Sequence, residues 1–203
     1  MARRFLLFVL HGLQHAAFLA GAACIAWVFV TWKEATFFQL YARTELHQLI
    51  NDAKAPETSL SYLPAPLRHI DSVVGLLTVP RLSMSVIAVD GDDDRILRVA
   101  AGHLRDTPLP WQEGNASFAG HRDTFFSALR NLRAGDDIEI ATAHGIFRYH
   151  VTRTLIVNPN DLSVLHPFDN TALTLITCYP FSYIGDAPQR FIVQAEREAE
   201  IAS

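Results

Sequence analysis

The stretch TALTLITCYPF, residues 171 to 181, has the two-residue alternation of a β-strand and ends on a cysteine, an aromatic residue and a proline. Leu173 and Leu175 fall on one face of this strand, and Cys178 falls on the other face. Because proline has no backbone N–H to donate, Pro180 ends the ladder and leaves Cys178 at a strand end beside a loop. We therefore expect a rigidly held thiol with one open side.

Other short β-favourable runs lie before and after this strand and are separated by Gly, Pro, Asn and Asp. They read VVGLLTV, SVIAV, NASFAG, DDIEIAT, GIFRYHVTRTLIV and RFIVQAE. Their number and spacing predict a small all-β barrel or sandwich. One stretch, TFFSALRNLRAGD, instead predicts a short amphipathic helix that ends at Gly135.

The N-terminal part of the chain has the composition of a membrane segment. Residues 5 to 32 contain no Asp, Glu, Lys or Arg, and residues 13 to 32 as a helix would span roughly 30 Å, the thickness of a hydrocarbon core. Arg3 and Arg4 precede this span, which favours a cytoplasmic N-terminus with the rest of the chain outside. A cleaved signal peptide, with AGAAC around Cys24 as its cleavage site, is the alternative.

After this span, apolar residues such as Leu40 and Leu46 recur at helical spacing, and prolines follow at positions 56, 64 and 66. This pattern predicts an amphipathic stalk helix and a linker. The predicted organisation is a membrane anchor over residues 1–32, a helix and linker over residues 33–71, and a folded domain over residues 72–203.

Composition and cysteine usage restrict the function. The chain has 17 basic and 21 acidic residues and a net charge of −4, so no basic field would attract a nucleic acid. Cys24 lies inside the predicted membrane span and cannot pair with Cys178. Since an unpaired thiol in an oxidising compartment is a liability, a chemical role for Cys178 is favoured over simple burial in the core.

Two further segments carry residues that suit a cysteine nucleophile: FAGHRDTFF around His121 and APQRF around Arg190. Such a nucleophile needs a proton acceptor and donor, and it needs a group that stabilises an oxyanion. His121 lies 57 residues before Cys178, and Arg190 lies 12 residues after it. They could meet only through the fold.

Four other residues near the cysteine are predicted to contact a substrate. Thr177 is interpreted as a wall or hydrogen-bonding residue, with strand packing as the alternative. The loop over residues 179–188 is predicted to form part of the rim, where Tyr179, Phe181 and Tyr183 would offer an apolar surface.

Several charged or polar groups are given supporting roles. His103 is interpreted as supporting or structural, and Arg122 and Asp123 as solvated or loop-bracing charges. The acidic turn DGDDDR at residues 90 to 95 is interpreted as a solvated hairpin loop, with loose calcium binding as the alternative, because the ligand spacing of an EF-hand is absent. No metal site and no cofactor are predicted.

Taken together, these segments resemble the sortases, the cysteine transpeptidases of bacterial surfaces. TLITC is similar to the family's TLxTC, AGHRDTFF to its histidine segment, APQRF to its arginine segment and GHLRDTPLPWQEGN to its GHxxGTxLPxxxGN stretch. With VPRLSMSVIAVDG and RAGDDIEIAT, the similarity covers roughly residues 73 to 195 in the family's order. The stretch TCYPFSYIGDAPQRF is most similar to class D and Gram-negative sortases, and a class C enzyme fits less well because its Asp-Pro-aromatic lid motif does not appear.

The resemblance implies an eight-stranded β-barrel with one or two short helices, and it implies that Cys178, His121 and Arg190 are catalytic. The activity it implies is cleavage of an LPxTG-like sorting signal on an exported protein through a thioacyl enzyme. An amine acceptor, peptidoglycan-linked or other, would then receive that protein. The chain would be a single-pass inner-membrane protein with an extracytoplasmic catalytic domain. An extracytoplasmic thiol peptidase is the alternative, since these residues do not distinguish water from an amine.

Overall fold

The computed structural model describes residues 2–51, 73–165 and 171–198. The chain divides into two compact units, Met1–Phe37 and Phe38–Ser203. Helix α1 (Ala2–Asn51) is long and apolar enough over His11–Thr44 to cross a membrane. The predicted proline-containing linker falls outside the described residues.

Eight strands build the second unit and close into one barrel. They are β1 (Val73–Val79), β2 (Met84–Asp90), β3 (Ala101–His103), β4 (Asn115–Ala119), β5 (Asp137–Thr142), β6 (Gly145–Val157), β7 (Ala172–Tyr179) and β8 (Gln189–Arg197). Their order around the barrel is β1-β2-β3-β4-β7-β8-β6-β5, and β5 returns to β1. Short helical segments lie between them: α2 (Asp94–Leu97) and 3-10 helices at Pro80–Leu82, Ser127–Asn131 and Leu162–Leu165. The predicted eight-stranded all-β barrel is confirmed.

Alternation along the strands fills the barrel interior with side chains. In β7, Leu173 and Leu175 are fully buried, as the sequence pattern predicts. They pack in one core cluster with Phe118 of β4 and with Phe126 and Leu129 of the connection between β4 and β5. Burial of such apolar area is the main force that holds the barrel together.

One local prediction is wrong, and another is confirmed only in part. The DGDDDR turn is not a hairpin loop, because β2 and β3 pair in parallel and the chain must cross over between them. Helix α2 lies in that crossover, and the Asp93 carboxylate caps it by accepting the backbone N–H groups of Arg95 and Ile96. The segment predicted as an amphipathic helix after residue 123 forms only the 3-10 helix Ser127–Asn131.

The last part of α1 packs within the same compact unit as the barrel. Phe38, Ala42 and Leu46 recur every four residues on one helix face and are buried. Leu40 points away from this face and is exposed. The buried face therefore differs from the predicted one, which included Leu40 together with Leu46.

Polar side chains of α1 complete the hydrogen bonding of β2. Strand β3 begins its pairing only at Ala88 of β2, so the preceding backbone groups on that edge lack a strand partner. Gln39 accepts the Ile87 N–H (2.9 Å) and donates to the Val99 carbonyl (2.7 Å). Arg43 donates to the Ser85 carbonyl (3.1 Å). These side chains take the place of a neighbouring strand along this edge.

An ion pair between Arg81 and Asp136 joins the β1–β2 connection to the start of β5. The Nε and Nη2 groups of Arg81 both donate to the Asp136 carboxylate, with an Nη2–Oδ2 distance of 2.6 Å. The backbone N–H of Arg133 donates to the same carboxylate (2.9 Å). These hydrogen bonds, that of Arg81 above all, lower the pKa of Asp136.

This ion pair predicts an acid-dependent loss of stability. Since the folded-state pKa of Asp136 lies below its unfolded value of about 3.9, the carboxylate stabilises the fold above that pH. Its contribution disappears as the pH falls through the lowered folded-state pKa. The urea midpoint of the full chain in detergent micelles should therefore fall more steeply below pH 4 in the native protein than in Asp136→Asn. The exposed Asp106→Asn should behave like the native protein, and parallel pH curves for the native protein and Asp136→Asn would contradict this prediction.

Candidate active site

The pairing of β4 with β7 places His121 beside Cys178. The two strands are parallel, and every paired residue of β7 lies 57 positions after its partner in β4, up to Ala119 opposite Ile176. His121 and Cys178 are separated by the same 57 positions. Gly120 continues the ladder, because its N–H donates to the Ile176 carbonyl (3.1 Å). This register therefore places His121 at the same end of the two strands as Cys178.

Strand β8 brings Arg190 to the same place. In the antiparallel pair of β7 and β8, Cys178 lies directly opposite Arg190. Residues directly opposite each other have Cα atoms about 4.5–5.5 Å apart and project their side chains from the same face of the sheet. The Nη1 group of Arg190 donates to the carbonyls of Ala187 (3.2 Å) and Gln189 (3.1 Å). These bonds orient the guanidinium at the base of the loop between β7 and β8.

The three side chains line one pocket of about 380 Å³. Its walls are His121, Arg122, Asp123, Cys178, Gly185, Asp186, Ala187 and Arg190. Cys178, His121 and Arg190 are each half-buried, and the thiol is free. A nucleophile, a group that can accept and donate a proton, and a permanent cation thus meet at one opening of the barrel surface.

The prediction that Cys178 lies at a strand end is confirmed. Strand β7 ends at Tyr179, and the Tyr179–Pro180 peptide bond is cis. Thr177, on the core face, is buried and donates its hydroxyl to the Gly120 carbonyl (2.7 Å). It therefore joins the end of β7 to the residue that precedes His121.

The aromatic residues predicted as substrate contacts lie outside the lining of this pocket. Tyr179 and Phe181 pack with Phe191 of β8, with ring centroids 5.3–6.4 Å apart. Tyr183 is 47% exposed. The loop after β7 does form part of the rim, as predicted, but it contributes Gly185, Asp186 and Ala187. The sequence pattern does not predict these three residues, because it favours aromatic side chains at the rim and theirs are small or polar.

The two charged residues that follow His121 differ in their surroundings. Arg122 donates through Nη2 to the carbonyls of Tyr183 (2.7 Å) and Gly185 (2.9 Å), so it braces a loop as predicted. Asp123 is exposed, and within the described residues it makes neither a hydrogen bond nor an ion pair.

His103 has a structural environment away from the pocket. It is 2% exposed, its Nδ1 atom lies 2.9 Å from the Asp90 carboxylate, and its Nε2 atom lies 3.0 Å from the Pro108 carbonyl oxygen. These contacts join β3 to β2 and to the loop that follows β3. The interpretation of His103 as supporting or structural fits this position.

A separate group of possible metal ligands lies on the outer surface. Asp137, His150 and Glu198 place ligand atoms within 4.8 Å of one another, and all three are exposed. His150 and Asp137 already form a contact of 2.8 Å across β5 and β6. This group is formed by residues other than those of the pocket around Cys178.

Comparison with known proteins identifies the family. The family model for the sortase domain matches residues 77–198, and the chain belongs to the sortase family, whose members are transpeptidases. It is 36% identical over 124 residues to Sortase D of Bacillus subtilis (strain 168), covering 61% of this chain and 63% of that protein. It is 27% identical over 132 residues to Sortase A of Listeria monocytogenes, covering 63% of this chain and 58% of that protein. The chain thus spans about three fifths of the length of these relatives.

Solved structures agree on the fold. A Clostridium perfringens Sortase D5 transpeptidase superimposes with a TM-score of 0.61 at 24% identity, covering 77% of this chain and 98% of that one. Listeria monocytogenes sortase A superimposes with a TM-score of 0.56 at 26% identity, covering 64% of this chain and 89% of that one. The predicted membership of the sortase family, with class D among its relatives, is confirmed.

Proposed function

We propose that this protein is a membrane-anchored cysteine transpeptidase that cleaves an LPxTG-like sorting signal and transfers the cleaved protein to an amine. One observation supports this proposal above all others. Cys178, His121 and Arg190, which come from three different strands or strand ends, line a single pocket in a barrel of the sortase family.

In the first half of the reaction, the Sγ atom of Cys178 attacks the carbonyl carbon of the signal's threonine. The thiol proton passes to His121, and a C–S bond forms. Collapse of the tetrahedral intermediate breaks the peptide bond after the threonine. His121 then protonates the departing amine, and a thioacyl enzyme remains on Cys178.

In the second half, a primary amine attacks the thioester and His121 removes its proton. A new amide bond forms, the C–S bond breaks, and the proton returns to the sulfur of Cys178. The acceptor class is an amine that is linked to peptidoglycan or to another surface molecule. Neither half needs a metal or a cofactor.

Arg190 has an electrostatic role in this scheme. A guanidinium stays protonated at any pH at which proteins fold, so Arg190 does not act as a base. Its N–H groups instead hold the oxyanion or the backbone of the sorting signal at the mouth of the pocket.

Helix α1 would anchor the protein in the membrane with the barrel on the extracytoplasmic side. Its apolar length and the absence of charged residues from position 5 to 32 support the anchor. Arg3 and Arg4 before this stretch support a cytoplasmic N-terminus.

The test uses the full chain in detergent micelles with an LPxTG-type peptide, with and without triglycine as the amine. We expect a thioacyl adduct on the protein and, with triglycine, a ligated product whose mass equals the cleaved peptide plus triglycine. Cleavage that yields only the free acid in the presence of triglycine would identify a thiol peptidase instead. If neither adduct nor cleavage forms with a panel of such signals, the proposal is wrong.

A further inference from the structure

The loop between β7 and β8, residues 180–188, contributes three residues to the lining of the pocket. Phe181 at its start packs against the core, but the outer part, residues 182–187, has little apolar burial. Gly185, Asp186 and Ala187 line the pocket. At the outer end of the loop, Ile184 is 96% exposed and Tyr183 is 47% exposed. This outer part, unlike Phe181, has so few buried contacts that it is held in place mainly by its hydrogen bonds.

Arg122 makes the hydrogen bonds that tie this outer end to another part of the barrel. Its Nη2 atom donates both hydrogens, one to the Tyr183 carbonyl (2.7 Å) and one to the Gly185 carbonyl (2.9 Å). The two carbonyls flank Ile184, so the loop bends around a single nitrogen atom. Gly185 has a φ of +96°, which permits this bend because glycine has no Cβ to strain there.

The other hydrogen bonds of the described loop residues are local. The Tyr183 N–H donates to the Pro180 carbonyl (3.2 Å), within the loop itself. The Ala187 carbonyl accepts from Arg190 (3.2 Å), at the base of the loop on β8. Neither bond connects the outer end of the loop to the segment after β4, where Arg122 lies. The bonds of Arg122 (2.7 and 2.9 Å) are also shorter than either of these, and unlike the Tyr183 N–H bond they come from a charged donor.

We infer that Arg122 is a positioning residue, which holds residues 183–187 in the conformation that closes the pocket beside His121. Without it, only a fraction of the molecules has the assembled pocket. The apparent affinity for the sorting signal then falls to that fraction of its intrinsic value, because only assembled molecules bind. The kinetic part of this inference rests on the proposed function, and the structural part does not.

The structural part is tested by hydrogen exchange on the full chain in detergent micelles. In Arg122→Ala, the backbone amide of Tyr183, which donates to the Pro180 carbonyl, should exchange roughly tenfold faster, while the amides of β4 and β7 are unchanged. The control is Arg148→Ala, which removes an equally charged side chain that pairs with Glu139 on β5 (3.2 Å). Unchanged exchange of the loop in Arg122→Ala would overturn the inference, whether or not the protein is an active transpeptidase.

The kinetic part is tested with the same peptide assay. Since bound peptide selects the assembled loop, Arg122→Ala should raise KM roughly tenfold and leave kcat within about twofold. A large loss of kcat at unchanged KM would instead place Arg122 in contact with the transition state. If the native protein cleaves no peptide while the loop still loosens in Arg122→Ala, the proposed function fails and the positioning role stands.

Three further single variants and one double variant separate loop positioning from simple charge loss. A single nitrogen makes both bonds, so Arg122→Lys should restore part of the protection from exchange, whereas the neutral and shorter Arg122→Gln should not. Gly185→Ala keeps Arg122 but disfavours the positive φ, and no atom lies within 4 Å of the added Cβ. Like Arg122→Ala, it should raise both the exchange rate of the loop and KM. The double variant Arg122→Ala/Gly185→Ala should be clearly less than additive, and full additivity would show that the two residues act independently.

Discussion

Replacing Cys178 with alanine should abolish thioacyl formation, cleavage and transfer. The expected loss of kcat is on the order of 10⁴-fold or more, because the variant has no atom that can form the covalent intermediate. The barrel itself should be unaffected, since Cys178 is half-buried at the end of β7 and its backbone pairing with Arg190 does not depend on the side chain. The adduct is measured as the intact mass of the full chain after incubation with an LPxTG-type peptide.

The second cysteine of the chain gives a matched control. Cys24 is exposed on α1, within the stretch that could span a membrane. Cys24→Ala should therefore form the adduct and cleave peptide like the native protein. An adduct that persists in Cys178→Ala, or that disappears in Cys24→Ala, would show that Cys178 is not the nucleophile.

Arg190→Lys should lower kcat/KM by about 10²- to 10³-fold, although the positive charge is kept. In the native protein, both hydrogens of Nη1 are engaged by the carbonyls of Ala187 and Gln189. Among the described residues, no hydrogen bond reaches Nε or Nη2, so three N–H donors remain for substrate. A lysine would have its three donors on one nitrogen, and the two loop carbonyls would compete for them.

The control for this prediction comes from the same strand. Arg197 lies at the other end of β8, with its guanidinium over the Phe147 ring at 4.5 Å. Arg197→Lys should leave kcat/KM within about twofold of the native value, because this residue is remote from the pocket. Near-native activity of Arg190→Lys would show that the mechanism needs only a positive charge at this position and not directed N–H donors.

Local sequence signals predict most of the barrel because each strand carries its own pattern. The alternation before Cys178 and the proline after Tyr179 place the end of β7 correctly. Strand β3 escapes prediction because Ala101–His103 is too short to show alternation. Its parallel pairing with β2 depends on the crossover through α2, which is a tertiary arrangement.

The site is predicted in part, for a related reason. Family-like motifs single out His121, Cys178 and Arg190, but their meeting depends on the pairing of β4 with β7 and of β7 with β8. Aromatic residues of the next loop are an obvious choice for an apolar substrate surface. In the folded chain, Tyr179 and Phe181 instead contact Phe191. Side-chain partners of this kind are decided by packing between strands.

The hydrogen bonds from α1 to the edge of β2 determine where a soluble fragment of this protein should begin. A fragment that starts at residue 72 would leave the Ile87 N–H and the Ser85 carbonyl open to solvent on a strand edge. Such an edge recruits strands from neighbouring molecules, so that fragment would tend to self-associate in solution. A fragment that starts a few residues before Phe38 retains Gln39 and Arg43 and would keep this edge closed to other copies.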